Sequence, residues 1–353
     1  MIIAAQHQIN IPIKKILIIQ LGDIGDVVWA IPSFWAVKKG LGQAAVSILT
    51  RKPNGDLLKA DPNIDKVFQT GRGLIQELSL ICNLRKEKFD LVIDLRAGDR
   101  GAYTAFCSGA PMRASIYYEN LKWRNNFFTH LIIPPPVLPR EERAFGASEQ
   151  SLLVVRGLGM QEETTIPRIY VAEGAKKNIA ALLEREKIDT GKGWVSINPF
   201  SRWQYKEWGM DKWRQLALFI WRKYSMPLII IGSSEEKKRA DDFIASALSP
   251  VFNFAGFVTL AELPALLQLS RLHIGVDSAG PHIAAAVGTP TLSIYGPSDW
   301  RDWAPTCEKS KVVFSDMPCS PCYQKGCGGS GQSLCLEKMD VRQVQDTVEK
   351  ILN

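Results

Sequence analysis

Short, unbroken apolar runs alternate along the chain with longer segments whose apolar residues recur at helical spacing. Residues 16–21 read ILIIQL. A run that short and that apolar suits a strand buried on both faces, as in a parallel sheet. The corner GDIGD follows, then an apolar-rich stretch over 27–39 expected as a helix. Further strands are expected at 45–50, 66–69 and 90–94, with helices at 54–59 and 74–86 between them. Pro134, Pro135, Pro136 and Pro139 mark a stiff surface excursion, because proline cannot donate to a sheet ladder. A helix at 148–158 closes the first half.

The alternation restarts after a break at 164–174. Strands are expected at 194–198, 228–231, 251–254, 272–276, 291–295 and 311–314. Helices are expected at 175–186, 211–224, 235–247, 260–270, 281–287 and 340–352. A β-α-β order that occurs twice, in 353 residues without obvious internal repetition, predicts an α/β chain. Two Rossmann-like doubly wound domains, 1–172 and 173–353, would face a cleft. Ligands of such sheets bind beyond the carboxyl ends of the strands, so chemistry is expected in the corners that follow them.

The first corner is Gln20-Leu21-Gly22-Asp23-Ile24-Gly25-Asp26-Val27. Gly22 and Gly25 permit a tight strand-to-helix turn with amides open to an anion. The three-glycine dinucleotide fingerprint is absent, so no nicotinamide cofactor is signalled. Asp26 stands where turn becomes helix. It is either a carboxylate complementing the helix dipole or a general base at the mouth of the cleft.

The second corner, Asn198 to Trp208, offers Lys206 and Arg202 to neutralise a diphosphate and Ser201 to donate to a phosphate oxygen. The structural alternatives are a solvated lysine and a core role for Trp208 and Trp213. The third is Asp277-Ser278-Ala279-Gly280-Pro281-His282. Here Ser278 can cap a helix, Pro281 fits its first turn, and the amides of Ser278, Ala279 and Gly280 can cradle phosphate. Asp277 can accept from sugar hydroxyls, with His282 nearby. The alternative is a capped helix with a packed histidine. A fourth corner places Glu235 and Glu236 after a strand, either on a ribose diol or as first-turn charges. The chain holds no Asp-x-Asp, so a metal-bridged diphosphate is not signalled.

Net charge is +7, and residues 1–170 carry 21 Lys/Arg against 16 Asp/Glu. This mild excess fits phosphate, nucleotide or anionic headgroups. No dense basic block interleaved with aromatics appears, so nucleic acid is not an expected partner. No apolar stretch reaches the about 18 residues of a membrane span, and MIIAAQHQINIPIKK is a poor secretory leader. A cytoplasmic protein is expected, at most peripheral to the inner face of the membrane. Cys82, Cys107 and Cys307 are scattered. Cys319, Cys322, Cys327 and Cys335 are grouped, with a CxxC half-site for zinc or an iron–sulfur cluster. Free thiols, or a disulfide disfavoured in the cytoplasm, are the alternatives. No metal ligand is assigned, and no histidine near these thiols suggests catalysis.

Taken together, ILIIQLGDIGDV at 16–27, DLVIDLRAG at 90–98, the segment around Lys206-Glu207-Trp208, FAGFVTLAELPALL at 254–267 and DSAGPHIAAAVGTPTLSIYGP at 277–297 resemble the ADP-heptose:lipopolysaccharide heptosyltransferases. The resemblance runs in order over nearly the whole chain. It implies GT-B architecture and inverting transfer with no metal or cofactor. It also implies a nucleotide-diphosphate sugar as donor, ADP-heptose first, and a lipid-linked glycan as acceptor. Asp26 would be the catalytic base. Lys206 would contact donor phosphates, and Asp277, Ser278, Ala279, Gly280 and His282 would hold donor sugar and phosphate. One departure is that the family often reads D-S-G-P-x-H where this chain reads Asp-Ser-Ala-Gly-Pro-His. Two other functions suit the same scaffold: nucleotide-sugar epimerisation, and non-catalytic nucleotide-sugar binding in an envelope assembly.

Overall fold

The apolar runs become the central strands of two parallel sheets. The structure, a computed structural model, describes residues 2–3, 9, 12–71, 73–96, 98–134, 147–161 and 164–353. The chain divides into two compact units, Met1–Tyr170 and Val171–Asn353.

In the first unit the strands are β1 (Ile2–Ile3), β2 (Lys15–Gln20), β3 (Ala45–Arg51), β4 (Lys66–Thr70), β5 (Leu91–Asp94), β6 (Met112–Ile116) and β7 (His130–Ile132). Their order is β1-β7-β6-β5-β2-β3-β4, and every pairing is parallel. Ile16, Leu17, Ile18 and Ile19 of β2 are fully buried, as a strand covered on both faces requires. From β2 the chain moves out to β3 and β4, then crosses back to lay β5 on the other side. The winding therefore reverses between β2 and β5, where doubly wound sheets open a crevice at the strand ends.

The second unit repeats this plan with β8 (Val195–Asn198), β9 (Leu228–Ile230), β10 (Val251–Asn253), β11 (Leu272–Val276), β12 (Thr291–Tyr295) and β13 (Ser310–Phe314). The order is β10-β9-β8-β11-β12-β13, all parallel. Here the winding reverses between β8 and β11. Trp208 and Trp213 are buried in this unit's core, edge to face at 5.4 Å. Val344 and Val348 of the last helix, Val341–Leu352, complete it. Both sheets thus match the expected Rossmann-like design.

Some elements differ from expectation. Residues 54–58 form a tighter 3-10 turn rather than an α-helix. The helix Asp99–Cys107 and strands β6 and β7 stand where the apolar pattern predicts no element. Strand β6 reads MRASI, and Arg113 breaks its apolar run. The strand accommodates this arginine because the guanidinium donates to the carbonyls of Phe127 and Ala110, at 2.7 and 2.5 Å. Such bonds offset the cost of burying the charge. From residue 135 onward the proline excursion lies outside the described residues.

Candidate functional site

Each reversal point gathers the residues that follow its two flanking strands. In the first unit, Gly22 and Asp23 lead from β2 into the helix Ile24–Gly40. Asp26 lies in the first turn, and its Oδ2 accepts the Asp23 amide at 2.7 Å, as the third helical residue of a capping box does. Arg96, just past β5, donates to the same oxygen. Oδ1 of Asp26 has no hydrogen-bond partner among the described residues. The carboxylate is therefore held at one oxygen and open at the other. Arg96 lies inside the segment DLVIDLRAG at 90–98, and no local pattern there announces a role for it. Its signal was its place directly after a central strand.

Behind Arg96 lies a buried acid. Asp94 Oδ1 accepts the Arg96 amide at 3.2 Å. Burial draws the Arg124 guanidinium below its ordinary pKa, and Asp94 is the foremost charge working against that fall. Nε and Nη2 of Arg124 have no hydrogen-bond partner among the described residues.

Gly22 is needed for space and not for an unusual backbone angle: its φ is not left-handed, and a Cβ there would overlap both Asp26 and Arg96. Gly25 lies within the helix itself. Gly22→Ala is expected to displace the Asp26–Arg96 pair. A displacement on the order of 1 Å costs about 10²-fold in rate, so turnover should collapse while circular dichroism stays native. Full turnover in that variant would remove this corner from the chemistry.

In the second unit, Lys206 ends the one-turn helix Gln204–Lys206. Its Nζ donates to Asp277 Oδ2 at 2.6 Å, the two side chains being 21% and 12% exposed. The loop carrying Lys206 is pinned by its neighbour: Glu207 forms a two-bond pair with Arg239 and accepts the Ser201 amide at 2.9 Å. The Ser201 hydroxyl donates to the Asp277 carbonyl at 3.3 Å. The guanidinium of Arg202 lies over the Trp203 ring at 5.5 Å. Ser201 and Lys206 thus share one corner with Asp277, which lies 76 and 71 residues further along the sequence.

Ser278 occupies the N-cap position of the helix Ala279–Ala286, but its side chain does not cap it. Its hydroxyl instead accepts from Asn198 Nδ2 at 3.1 Å. This corrects the expected cap, and the first-turn amides of Ala279 and Gly280 are not taken up by the serine. A Cβ on Gly280 would stand 2.8 Å from His273 Nε2 and 3.1 Å from Asn198 Nδ2, so only glycine lets the helix start this close to the sheet. Tyr295 ends β12. Burial first, and then Asp277, hold its hydroxyl protonated. Glu236 turns back to accept the Ser233 amide at 2.7 Å, where it closes its own loop.

Two histidines behind the corner are fully buried. Desolvation pushes His273 down to about 3 and His282 down to about 4; for His282, Asp277 opposes the fall and Lys206 adds to it. His273 Nδ1 bonds the Ser196 hydroxyl at 2.9 Å. Both rings are neutral at pH 7. A folded pKa below the unfolded value of about 6.5 stabilises the fold above pH 6.5, and that stability is lost as pH falls toward the folded value. The melting temperature is therefore expected to drop between about pH 6.5 and pH 5, before the carboxylates titrate. Calorimetry showing a flat profile there would contradict neutral burial.

The cysteine-rich stretch braces this corner. Ser320 Oγ donates to the Gly296 carbonyl at 2.7 Å, and the amides of Cys322 and Tyr323 donate to Pro297 at 3.1 and 2.8 Å. Ser333 Oγ donates to the Tyr205 carbonyl at 2.6 Å, one residue before Lys206. Lys325 lies over the Trp203 ring at 5.5 Å. The four thiols are unpaired, from exposed Cys319 to buried Cys335. Burial, with the other three thiols adding, pushes Cys335 up to about 11. Among the described residues no three His, Cys, Asp or Glu side chains are grouped to hold a metal ion.

Against known proteins, the profile of glycosyltransferase family 9 (heptosyltransferase) matches residues 77–331. Lipopolysaccharide heptosyltransferase 3 of Escherichia coli K12 is 29% identical over 294 residues, covering 79% of this chain and 82% of that one. Among solved structures, the glycosyl transferase family 9 protein of Veillonella parvula superposes with a TM-score of 0.82 at 18% identity, over 96% of this chain and 97% of that one. E. coli ADP-heptose lps heptosyltransferase II gives 0.77 at 18% identity, over 96% and 98%.

Proposed function

Since the chain belongs to glycosyltransferase family 9, the heptosyltransferases, we propose that it moves a heptose, or a related sugar, from an ADP-activated donor to a lipopolysaccharide-core or similar lipid-linked glycan. The chain is a glycosyltransferase by family. Donor, acceptor and stereochemistry are inferred from its corners and from the chemistry its relatives are named for. One observation carries the reading: the Lys206–Asp277 pair standing beside the N-terminus of the helix Ala279–Ala286. An ammonium and a helix N-terminus together suit a departing nucleoside diphosphate, and Asp277 suits sugar hydroxyls. The charge that develops on the leaving group is met without a divalent cation.

Asp26 is the general base of this reading. Its open oxygen takes the proton of the acceptor hydroxyl as that oxygen bonds to the anomeric carbon and the bond to the diphosphate breaks. Attack from the face opposite the leaving group inverts the centre. Arg96 keeps the carboxylate oriented through its second oxygen, and Ser201, Ser278, Ala279, Gly280 and His282 shape the donor corner. Gly22 leaves room for the base, and Glu236 sits on the neighbouring loop.

Thermal shift against ADP-heptose, UDP-sugars and GDP-sugars tests the reading. A donor at a hundredfold excess over its Kd stabilises the protein by about 2.7 kcal/mol. The largest shift is expected with the ADP sugar, and turnover should withstand EDTA. No shift with any nucleotide sugar would overturn it, and an isomerised donor in the absence of acceptor would favour an epimerase.

A further inference from the structure

Asn198 stands where the winding of the second sheet reverses, and its side chain joins the two loops that leave there. It ends β8 and lies level with Gly275 of β11. Its Oδ1 accepts the Phe200 amide at 3.2 Å, which fixes the entry to the loop carrying Ser201 and Lys206. A backbone N–H can meet only the oxygen of a side-chain amide, so Nδ2 faces the other way. There it donates to Ser278 Oγ at 3.1 Å. The approach is close: a Cβ on Gly280 would stand 3.1 Å from Nδ2 and 3.2 Å from the Cβ of Asn198.

The direction of this bond decides what Ser278 has left to give. A serine hydroxyl offers one proton and two lone pairs. Asn198 fills a lone pair, and the proton meets no acceptor among the described residues. An N-cap serine ordinarily accepts from the second or third helical amide. In the helix Ala279–Ala286 the third residue is Pro281, which has no N–H. Gly280 is therefore the one amide of that pair a cap could take. Nδ2 holds the hydroxyl instead, and the Ser278 side chain makes no cap bond. The Ser278 proton and the Gly280 amide are thus both left for a ligand at the helix N-terminus. Lys206 stands beside them on Asp277. A hydroxyl, an amide and an ammonium together suit the several oxygens of a diphosphate.

We propose that Asn198 is a positioning residue for the donor diphosphate: by donating to Ser278 Oγ it keeps that hydroxyl off the helix and leaves its proton for a phosphate oxygen. The assignment rests on reading this corner as the nucleoside-diphosphate site. Asn198→Asp tests it, because aspartate has nearly the same shape and still accepts the Phe200 amide, yet faces Ser278 with an acceptor. The hydroxyl then gives its proton to the aspartate. ADP binding to the full chain is read by titration calorimetry. Asn198→Asp and Ser278→Ala are each expected to weaken it at least about tenfold, the size of a lost bond to a charged group. Both changes remove the same bond, so the double variant should lose less than the product of the two single losses. Asn198→Ala, which adds no charge, closes a second cycle: its loss must also shrink in the Ser278→Ala background. A merely structural residue would lower the melting curve and show no such coupling. Losses that multiply in both cycles overturn the proposal, as does unchanged ADP affinity in Asn198→Asp or Ser278→Ala. A wild type that does not bind ADP sinks the donor reading and this assignment with it. A wild type that binds ADP no better than its variants sinks the assignment alone.

Discussion

Asp26→Asn is expected to slow sugar transfer by about 10²–10⁴-fold, the range general-base catalysis supplies, with donor binding retained. The amide oxygen of asparagine can still accept the Asp23 amide, so the helix start survives. What is lost is the oxygen that takes a proton. Asp26→Ala removes that oxygen and also the capping contact, worth about 0.5–2 kcal/mol. A lower melting temperature in the alanine variant alone separates the structural share from the chemical one. Single-turnover assays at saturating donor read the effect on chemistry. An asparagine variant with wild-type turnover would sink Asp26 as the base and leave it a helix-capping residue beside Arg96.

Lys206→Met should weaken donor binding and lower kcat together, for a combined loss of about 10²–10³-fold in kcat/KM. That is the size found when one donor to a developing negative charge is removed. The lysine now rests against Asp277 at 2.6 Å. An arriving diphosphate competes for that ammonium, and the more charge moves onto the leaving group, the better it competes. The interaction therefore strengthens toward the transition state, which is why kcat and not only KM should respond. Lys206→Arg should recover part of the loss, since charge is kept while point geometry is not. Removing the lysine also leaves Asp277 unpaired and mostly buried, so some loss of melting temperature is expected. Unchanged kcat/KM in the methionine variant would move the donor phosphates elsewhere.

The sheets were legible because burial on both faces leaves its mark in consecutive residues. Strands β11 and β12 fall on 272–276 and 291–295 as read from their apolar runs. Strand β6 was not legible, because Arg113 interrupts its run and is satisfied by carbonyls that no local pattern announces. The corners themselves could be found, since glycines and charged residues stand directly after strands. Their internal pairings could not. Arg96 meets Asp26 from 70 residues away, Arg239 meets Glu207 from 32, and Asn198 meets Ser278 from 80. Ser278 shows the limit most clearly: its position promised a cap, but a competing amide on the neighbouring strand takes its hydroxyl. The braces from the cysteine-rich stretch were hidden for the same reason, since spacing of thiols says nothing about which loop they sit on.

The grip of Ser333 and Lys325 on the loop at 203–206 has a consequence for exchanging parts between relatives. That loop and the excursion near the end of the chain are far apart in sequence but behave as one module. A chimera that imports a foreign loop alone would meet a mismatched buttress, and one that trims the excursion would leave the ammonium on an unsupported arm. On the reading proposed above, donor preference in this chain resides in a pair of segments, and any swap intended to change it has to carry both.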